Sequence, residues 1–281
     1  MQLKSLTYQS SRIFYRTIGK GRPVVLIHGF GEDGNIWDKQ VEFLSAGSGG
    51  KDKFQLIIPD LPGSGSSEMI EHMSIEGMAE SIKAVIDFEL RKSPLQGAEG
   101  AKLSLIGHSM GGYISLAFAE KYPQLLLSFG LVHSSAFADS EEKKAMRLKA
   151  IAFIKKNGAY EFLKTSIPGL FAESWTKDHR QEIDDLVEKS KDFSDAAIIQ
   201  YYRSMIERPD RTAILKSFSG PVLLIIGEHD NAVPFAQSMQ QSYLPDNPYI
   251  HILRRSAHMA MWEETGKVNT ALSGFLSWQP M

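Results

Sequence analysis

Six short apolar runs recur along the chain, and they constrain its fold more than any other feature. They show little polar alternation, which is typical of strands buried on both faces of a parallel sheet. The runs are Pro23 to Ile27, Phe54 to Ile58, Lys102 to Ile106, Leu125 to Val132, Pro221 to Ile226 and Tyr249 to Leu253. Segments with helical spacing of apolar residues lie between them. This alternation predicts an α/β fold with a mostly parallel central sheet flanked by helices.

Other segments complete this pattern. Two β-rich runs, Ser5 to Ser11 and Arg12 to Ile18, precede the first buried run and predict a pair of strands. The glycine-rich stretch Ala46 to Lys53 is expected to be a surface loop. Ser74 is expected to cap the first of four predicted helices. Those helices span Ser74 to Lys92, Met110 to Lys121, Phe235 to Tyr243 and Trp262 to Trp278.

One region departs from the alternation. No strand-like run occurs between about Ala136 and Pro209, and the pattern there predicts four amphipathic helices. They span Asp139 to Lys156, Ala159 to Ser166, Thr176 to Ser190 and Asp195 to Glu207. An all-helical block inside an α/β chain predicts an inserted cap, or lid, over residues 136–209. Residues 1–135 and 210–281 would then form the core.

Composition excludes several classes of function. Lys and Arg total 31 and Asp and Glu total 33, a net charge of −2 that gives no field to attract nucleic acid or an anionic membrane. The chain has no cysteine, so it has no disulfides, thiolate metal sites or cysteine nucleophile. The apolar runs are shorter than the roughly 20 residues of a membrane span. The start of the chain does not resemble a signal peptide, and a cytoplasmic, soluble protein is expected.

The strongest chemical motif is Gly107-His108-Ser109-Met110-Gly111, which fits G-x-S-x-G. It follows an apolar run and opens a predicted helix, the context in which a serine is raised on a sharp strand-to-helix turn. Glycines are needed there because the turn leaves no room for side chains. Ser109 is therefore the predicted nucleophile, and the Met110 N–H is directed towards the oxyanion that forms.

A serine hydroxyl needs a base, and the chain offers eight histidines. His258 follows the last predicted strand, so it lies at the same sheet edge as Ser109 and is the preferred base. His133 and His229 also lie at strand ends and remain possible bases. The ring of His108 is expected to point away from Ser109.

The catalytic histidine needs a carboxylate that orients its ring and stabilises the imidazolium. The oxyanion needs a second backbone N–H donor in addition to that of Met110. Asp230 follows the run Pro221 to Ile226 and is the preferred acid, with Glu228 and Asp139 as further candidates. The segment His28-Gly29-Phe30-Gly31 follows the first buried run, and the Phe30 N–H suits the role of donor. His28 would then brace this loop.

These motifs together resemble the capped α/β-hydrolase-fold serine hydrolases over nearly the whole chain. The resemblance rests on His28 to Gly31, Pro59 to Ser67, Gly107 to Gly112, Gly227 to Asp230 and Ala257 to Met259, in the order Ser, Asp, His. It implies a catalytic triad of Ser109, Asp230 and His258, with Phe30 and Met110 as oxyanion donors. The chain departs from the family at Ala257, where glycine is usual.

The expected activity is hydrolysis of a small, hydrophobic carboxylic ester or a related acyl compound through an acyl-enzyme. The meta-cleavage-product hydrolases, which cleave C–C bonds, are a second candidate, because the chain also resembles them in Gly107 to Gly112 and in Trp262. In that case Arg203 or Arg208 is a candidate to bind a substrate carboxylate. A perhydrolase-like enzyme and a ligand-binding sensor use the same fold.

No cofactor or metal is expected. The phosphate-loop, dinucleotide and His-Glu-x-x-His patterns are absent from the sequence. The expected partner is a small-molecule substrate, and the sequence gives no oligomeric state. Eight apolar residues of the predicted cap are candidates to line its pocket or to pack on the core: Phe153, Phe162, Leu163, Leu170, Phe171, Trp175, Ile198 and Tyr202.

Overall fold

The strands of the computed structural model form one sheet. The structure describes residues 1–46, 53–91 and 102–278, so most of the loop expected from Ala46 to Lys53 lies outside it. The strands are β1 (Gln2–Tyr8), β2 (Ser11–Ile18), β3 (Arg22–Ile27), β4 (Phe54–Pro59), β5 (Leu103–His108), β6 (Leu126–Val132), β7 (Val222–Gly227) and β8 (Pro248–Leu253).

The sheet is mixed but mostly parallel, as the apolar runs predicted. Its strand order is β1-β2-β4-β3-β5-β6-β7-β8. Strand β2 runs antiparallel to β1 and β4, and the pairs from β4 to β8 are parallel. Val24 to Ile27 of β3 are fully buried, because helices cover both faces of the central strands.

The helices surround this sheet and form an insertion. They are α1 (Asp38–Ala46), α2 (Ile75–Leu90), α3 (Met110–Lys121), α4 (Glu141–Asn157), α5 (Ala159–Ser166), α6 (Glu173–Asp178), α7 (Arg180–Lys189), α8 (Asp195–Glu207), α9 (Thr212–Ser217), α10 (Phe235–Ser242), α11 (Ala260–Glu263) and α12 (Thr265–Leu276). Short 3₁₀ turns flank several of them, at Gly34–Trp37, Pro123–Leu125, Ile167–Leu170 and Ser190–Asp192. Helices α4 to α8, between β6 and β7, are called the helical insertion below.

Ser74 caps α2 as predicted. Its hydroxyl accepts a hydrogen bond from the Gly77 N–H at 2.9 Å. Helices α1 and α9 were not predicted from the sequence. Among the described residues, no helix is both long and apolar enough to cross a membrane.

Two predicted helices are each broken in two. Thr176 to Ser190 divides at His179, whose ring stacks on Trp175 with centroids 4.0 Å apart while its backbone leaves helical geometry. Trp262 to Trp278 divides at Glu264. The Glu264 carboxylate accepts hydrogen bonds from the Arg255 N–H and the Ser256 hydroxyl, and these bonds hold it outside either helix.

The order of the strands creates a crevice at one edge. The chain passes from β3 to β4 on one side and then crosses back to β5 on the other, so the segments after β3 and β5 diverge. In open α/β sheets, ligands bind at such a switch point, outside the carboxyl ends of the strands. Phe30 and Ser109 follow β3 and β5 respectively.

Candidate active site

Ser109 occupies a sharp turn between β5 and α3. Its backbone angles, φ of 49° and ψ of −115°, lie in a region that residues other than glycine rarely adopt. Such backbone strain is concentrated at functional sites. Several hydrogen bonds hold the turn. The Ser109 N–H donates to the Val132 carbonyl at 2.9 Å, and the Ser109 carbonyl accepts from the Gly112 N–H and the Ser134 hydroxyl. The turn presents Ser109 to the large cavity described below.

The two glycines of the motif are required by close approach of the backbone. A Cβ on Gly107 would overlap the Gly111 carbonyl, and a Cβ on Gly111 would lie 2.5 Å from the Ile27 carbonyl oxygen. Helix α3 therefore begins against the ends of β3 and β5, which is possible only without side chains at these two positions.

His258 and Asp230 are hydrogen-bonded. The His258 Nδ1 donates to Asp230 Oδ2 at 2.8 Å, and Asp230 Oδ1 accepts from the Ala232 and Val233 N–H groups at 2.8 and 2.9 Å. Burial alone would raise the pKa of Asp230, but the histidine partners outweigh it and hold that pKa far below its usual value. No described residue bonds the His258 Nε2, and His258 and Ser109 line the same cavity.

His133, a possible base from its place at a strand end, also uses Asp230. Its Nδ1 donates to the same Oδ2 at 3.1 Å, and its Nε2 is buried without a partner among the described residues. Its side chain is fully buried and does not line the cavity. Burial lowers the pKa of His133 to about 4 although Asp230 opposes the change, so the ring is neutral at pH 7.

The remaining candidates for the base and the acid are His229, Glu228 and Asp139. His229 and Glu228 are exposed, and neither lines the cavity. Asp139 is buried in ion pairs with Arg147 and Arg208. The structure therefore brings together the three residues preferred from the sequence, and none of these three candidates joins them.

The group His133, Asp230 and His258 is also compact enough to be considered as a metal site. The contacts have the lengths of hydrogen bonds, and two N–H donors account for both lone pairs of Asp230 Oδ2. The three side chains thus form a carboxylate shared between two imidazoles. The absence of a metal stays a prediction.

The buried His133 makes stability sensitive to acid. Between pH 6.5 and 4 the unfolded chain binds a proton that the folded His133 excludes, so the free energy of unfolding falls as the pH falls. We expect His133→Asn to remove up to about 3 kcal/mol of this loss, at about 1.4 kcal/mol per pKa unit. Urea unfolding at pH 7, 6, 5 and 4 measures it. The exposed His72→Asn is the control; parallel curves for His133→Asn and the unaltered protein would contradict the expectation.

The loop after β3 passes beside the nucleophile. A Cβ on Gly29 would lie 3.1 Å from the Ser109 Cβ, and Gly31 has a φ of +67°. The His28 Nε2 accepts a hydrogen bond from the Leu61 N–H at 2.9 Å, so this ring fixes the loop to the segment after β4. Phe30 lines the cavity.

Glu32 and His108 form a buried ion pair that the sequence did not reveal. Glu32 Oε2 accepts from the Gly29 N–H at 2.7 Å and from the His108 Nδ1 at 2.9 Å, and the His108 Nε2 donates to the His258 carbonyl at 3.0 Å. Both ring nitrogens face acceptors, an arrangement that the doubly protonated imidazolium satisfies. Burial opposes the charges, but their attraction raises the pKa of His108 and lowers that of Glu32.

This pair connects the three segments of the site. It joins the loop at Gly29, the residue before Ser109 and the backbone of His258. Glu32 directly follows the glycine-rich segment His28 to Gly31, and this position was its only signal in the sequence. Its partner, 76 positions away, had no such signal.

The cavity beside Ser109 has a volume of about 1020 Å³. Four of the eight apolar candidates from the insertion line it: Phe162, Leu163, Leu170 and Tyr202. The Phe30 ring packs on Tyr202 with centroids 4.4 Å apart. Phe171 instead stacks on Trp175, Ile198 is buried in the core, and Phe153 is substantially exposed. The cavity wall is therefore mainly aromatic and aliphatic.

The insertion is tied directly to the segment that carries His258. The His258 N–H donates to the Leu170 carbonyl at 2.9 Å. The Glu263 carboxylate accepts from the Ala172 N–H at 2.7 Å and from the N–H groups of Ala257 and Met259. Burial raises the pKa of Glu263, although these donors oppose the change.

Comparison with known proteins places the chain in a family context. The model of the family described as "Alpha/beta hydrolase family" matches residues 24–271. A solved thermophilic esterase from Thermogutta terrifontis, with malate bound, superposes with a TM-score of 0.85 at 28% identity, covering 98% of each chain.

Two curated relatives have other activities in their names. The acetyltransferase component of an acetoin cleaving system in Pseudomonas putida is 27% identical over 260 residues, 91% of this chain and 64% of that relative. The chain thus spans less than two thirds of that relative's length. A 2-hydroxy-6-oxononadienedioate/2-hydroxy-6-oxononatrienedioate hydrolase from Paraburkholderia phymatum is 24% identical, covering 94% of this chain and 91% of the relative.

Proposed function

The chain belongs to the alpha/beta hydrolase family, and we propose that it hydrolyses small, hydrophobic carboxylic esters through Ser109, His258 and Asp230. One observation carries the proposal above the others. A strained serine and a histidine that is hydrogen-bonded to a buried carboxylate line the same cavity. This combination is the arrangement that activates a hydroxyl for attack on a carbonyl carbon.

In the first half-reaction Ser109 becomes acylated. The His258 Nε2 accepts the proton of the Ser109 hydroxyl while Oγ attacks the ester carbonyl carbon. Asp230 keeps the His258 proton on Nδ1 and stabilises the imidazolium that forms. The intermediate then collapses, the C–O bond to the alcohol breaks, and His258 returns its proton to the departing alcohol.

The N–H groups of Phe30 and Met110 are proposed to bind the oxyanion of this intermediate. Phe30 belongs to the loop that passes beside Ser109, and Met110 begins α3 directly after it. One such donor contributes on the order of 100- to 1000-fold to the rate. In the second half-reaction His258 activates a water molecule, which releases the acid and restores Ser109.

The esterase from Thermogutta terrifontis supports ester cleavage, because it is 28% identical and aligns over 98% of both chains. C–C bond hydrolysis is the second candidate, favoured by the relative from Paraburkholderia phymatum. Arg203, one of the two residues considered for that activity, is exposed and does not line the cavity. Arg208 is buried in an ion pair with Asp139 and does not line it either.

A fluorophosphonate probe and a series of p-nitrophenyl esters test the proposal. We expect the probe to label Ser109, as shown by peptide mapping, and the Ser109→Ala protein to remain unlabelled. The cavity wall is mainly apolar, so kcat/KM is expected to rise about three- to fourfold for each added methylene until the cavity is filled, at about 0.8 kcal/mol each.

The two alternatives, C–C hydrolysis and ligand binding without turnover, predict other results when a 2-hydroxy-6-oxo-diene acid is assayed beside the esters. A 2-hydroxy-6-oxo-diene acid turned over faster than every ester, with normal labelling, would transfer the assignment to C–C hydrolysis. Folded protein that is neither labelled nor active on esters would contradict the proposed mechanism and favour a ligand-binding role.

A further inference from the structure

A buried pair of arginines lies beside the cavity, and one of the two, Arg147, forms part of its wall. The Arg147 Nε donates to Asp139 Oδ2 at 2.6 Å, and the Arg208 Nη2 lies 2.9 Å from Asp139 Oδ1. The Asp139 side chain is fully buried, and the two arginines are 11% and 3% exposed. Two guanidinium groups therefore share a single carboxylate, which leaves a positive charge uncompensated in a region where charges are normally paired.

The two arginines differ in their free donors. Arg208 donates to the carbonyls of Met205 and Phe137, stacks on the Tyr113 ring at 3.9 Å and does not line the cavity. Arg147 does line the cavity. Its Nη1 bonds to no described residue, and its partner on the other side is the face of Tyr202, 5.5 Å away. The Arg208 Nε is also without a partner among the described residues, but it is buried away from the cavity, so the free donor that lines the cavity belongs to Arg147.

The hydroxyl of Tyr113 is exposed to the same excess of positive charge. Its side chain is buried, lines the cavity and makes no hydrogen bond with a described residue. Burial would raise the pKa of its hydroxyl, but Arg208, Lys143 and Arg147 together outweigh burial and Asp139, and they lower it.

The acidic residues nearby do not cancel this field. Glu142 and Asp210 border the cavity but are exposed to solvent, which screens them, and Asp210 accepts hydrogen bonds from Thr212. Glu32 also lines the cavity, but it is paired with His108.

We propose that the cavity selects esters that carry a free carboxylate, bound by the Arg147 guanidinium with Tyr113 beside it. This inference rests on the proposed ester hydrolysis and adds the class of substrate. Tyr113 lies one helical turn beyond Ser109 on α3, roughly 6 Å along the axis. Ser109, Tyr113 and Arg147 line the same cavity, and the half-ester of a short dicarboxylic acid is the simplest substrate of this class. The aromatic wall at Phe30, Phe162 and Tyr202 contacts the apolar remainder.

Two pairs of substrates test the proposal, each differing only in a carboxylate and its neutral amide. Monomethyl adipate is compared with methyl 5-carbamoylpentanoate, and 4-carboxyphenyl butanoate with 4-carbamoylphenyl butanoate. The first pair places the carboxylate on the acyl side of the ester, and the second pair places it on the alcohol side. In at least one pair we expect kcat/KM for the carboxylate to exceed that for the amide by more than tenfold.

Variants of Arg147 locate the effect. Arg147→Gln is expected to reduce the carboxylate-to-amide ratio of kcat/KM at least tenfold, and Arg147→Lys is expected to retain part of the ratio. Arg180→Gln is the matched control, because Arg180 is an exposed arginine of the insertion outside the cavity wall. Equal rates within both pairs, or a ratio unchanged in Arg147→Gln, would overturn the proposal.

Binding provides a second readout that does not depend on turnover. Calorimetric titration of the Ser109→Ala protein with the same four compounds is expected to show at least tenfold tighter binding of a carboxylate than of its amide. Addition of Arg147→Gln to this protein removes that difference. Selective binding without ester turnover would refute only the proposed hydrolysis, whereas turnover of neutral esters without carboxylate preference would refute only the proposed selectivity.

Discussion

Ser109→Ala is expected to lower kcat for the best ester on the order of 10⁴- to 10⁶-fold, since loss of the nucleophile removes the covalent pathway altogether. The rate that persists would come from binding and the oxyanion donors. Because the hydrogen bonds that hold the turn use the Ser109 backbone and not its hydroxyl, the fold is expected to be retained. Steady-state kinetics and the midpoint of thermal unfolding measure the two effects.

Ser134→Ala is the matched control for this experiment. It removes a hydroxyl that donates to the Ser109 carbonyl at 2.7 Å but takes no part in the proposed chemistry. We expect it to reduce kcat less than about tenfold, from the loss of one neutral hydrogen bond of about 1 kcal/mol. Ser109→Ala protein that keeps more than 1% of the activity, purified free of other esterases, would show that another group attacks the ester.

Asp230→Asn is expected to reduce kcat about 10⁴-fold, as loss of the carboxylate does in other serine hydrolases with this arrangement. An amide can offer its N–H₂ group to the His258 Nδ1, which would favour the wrong tautomer and leave Nε2 protonated. Rates at saturating substrate measure the effect. The exposed Asp246→Asn is the control and is expected to have unaltered kinetics.

The pH dependence separates this role from a purely structural one. The pKa of Asp230 lies far below its usual value, so the carboxylate remains charged throughout the mildly acidic range. A loss of rate on mild acidification of the unaltered protein therefore does not come from protonation of Asp230. An Asp230→Asn protein within tenfold of normal activity, with an unchanged pH profile, would rule out the proposed role.

The sequence predicted most of the sheet, because strands buried on both faces need continuous apolar runs whatever surrounds them. Helix boundaries were less predictable. The breaks at His179 and Glu264 depend on stacking with Trp175 and on hydrogen bonds to Arg255 and Ser256. Neither interaction leaves a mark in the local pattern of apolar residues, so two continuous helices were predicted.

The residues of the candidate site were also predicted only in part. Ser109, His258 and Asp230 were found because each follows a strand of a recognisable type, and parallel strands end at one edge. Glu32 and Arg147 were not found, because their significance comes from partners brought together by the fold. Glu32 meets a histidine 76 positions away, and Arg147 is notable only because Asp139 is already shared with Arg208.

The hydrogen bonds between the insertion and the His258 segment have a kinetic consequence. The Leu170 carbonyl and the Glu263 carboxylate join the two parts, so moving Leu170 and Ala172 away from the sheet breaks contacts that position the base. The insertion therefore cannot move far from the sheet on this side at the same moment as His258 transfers a proton, because the movement breaks the hydrogen bonds that hold His258 in place. Each turnover would then alternate between admitting or releasing a molecule and reacting with it.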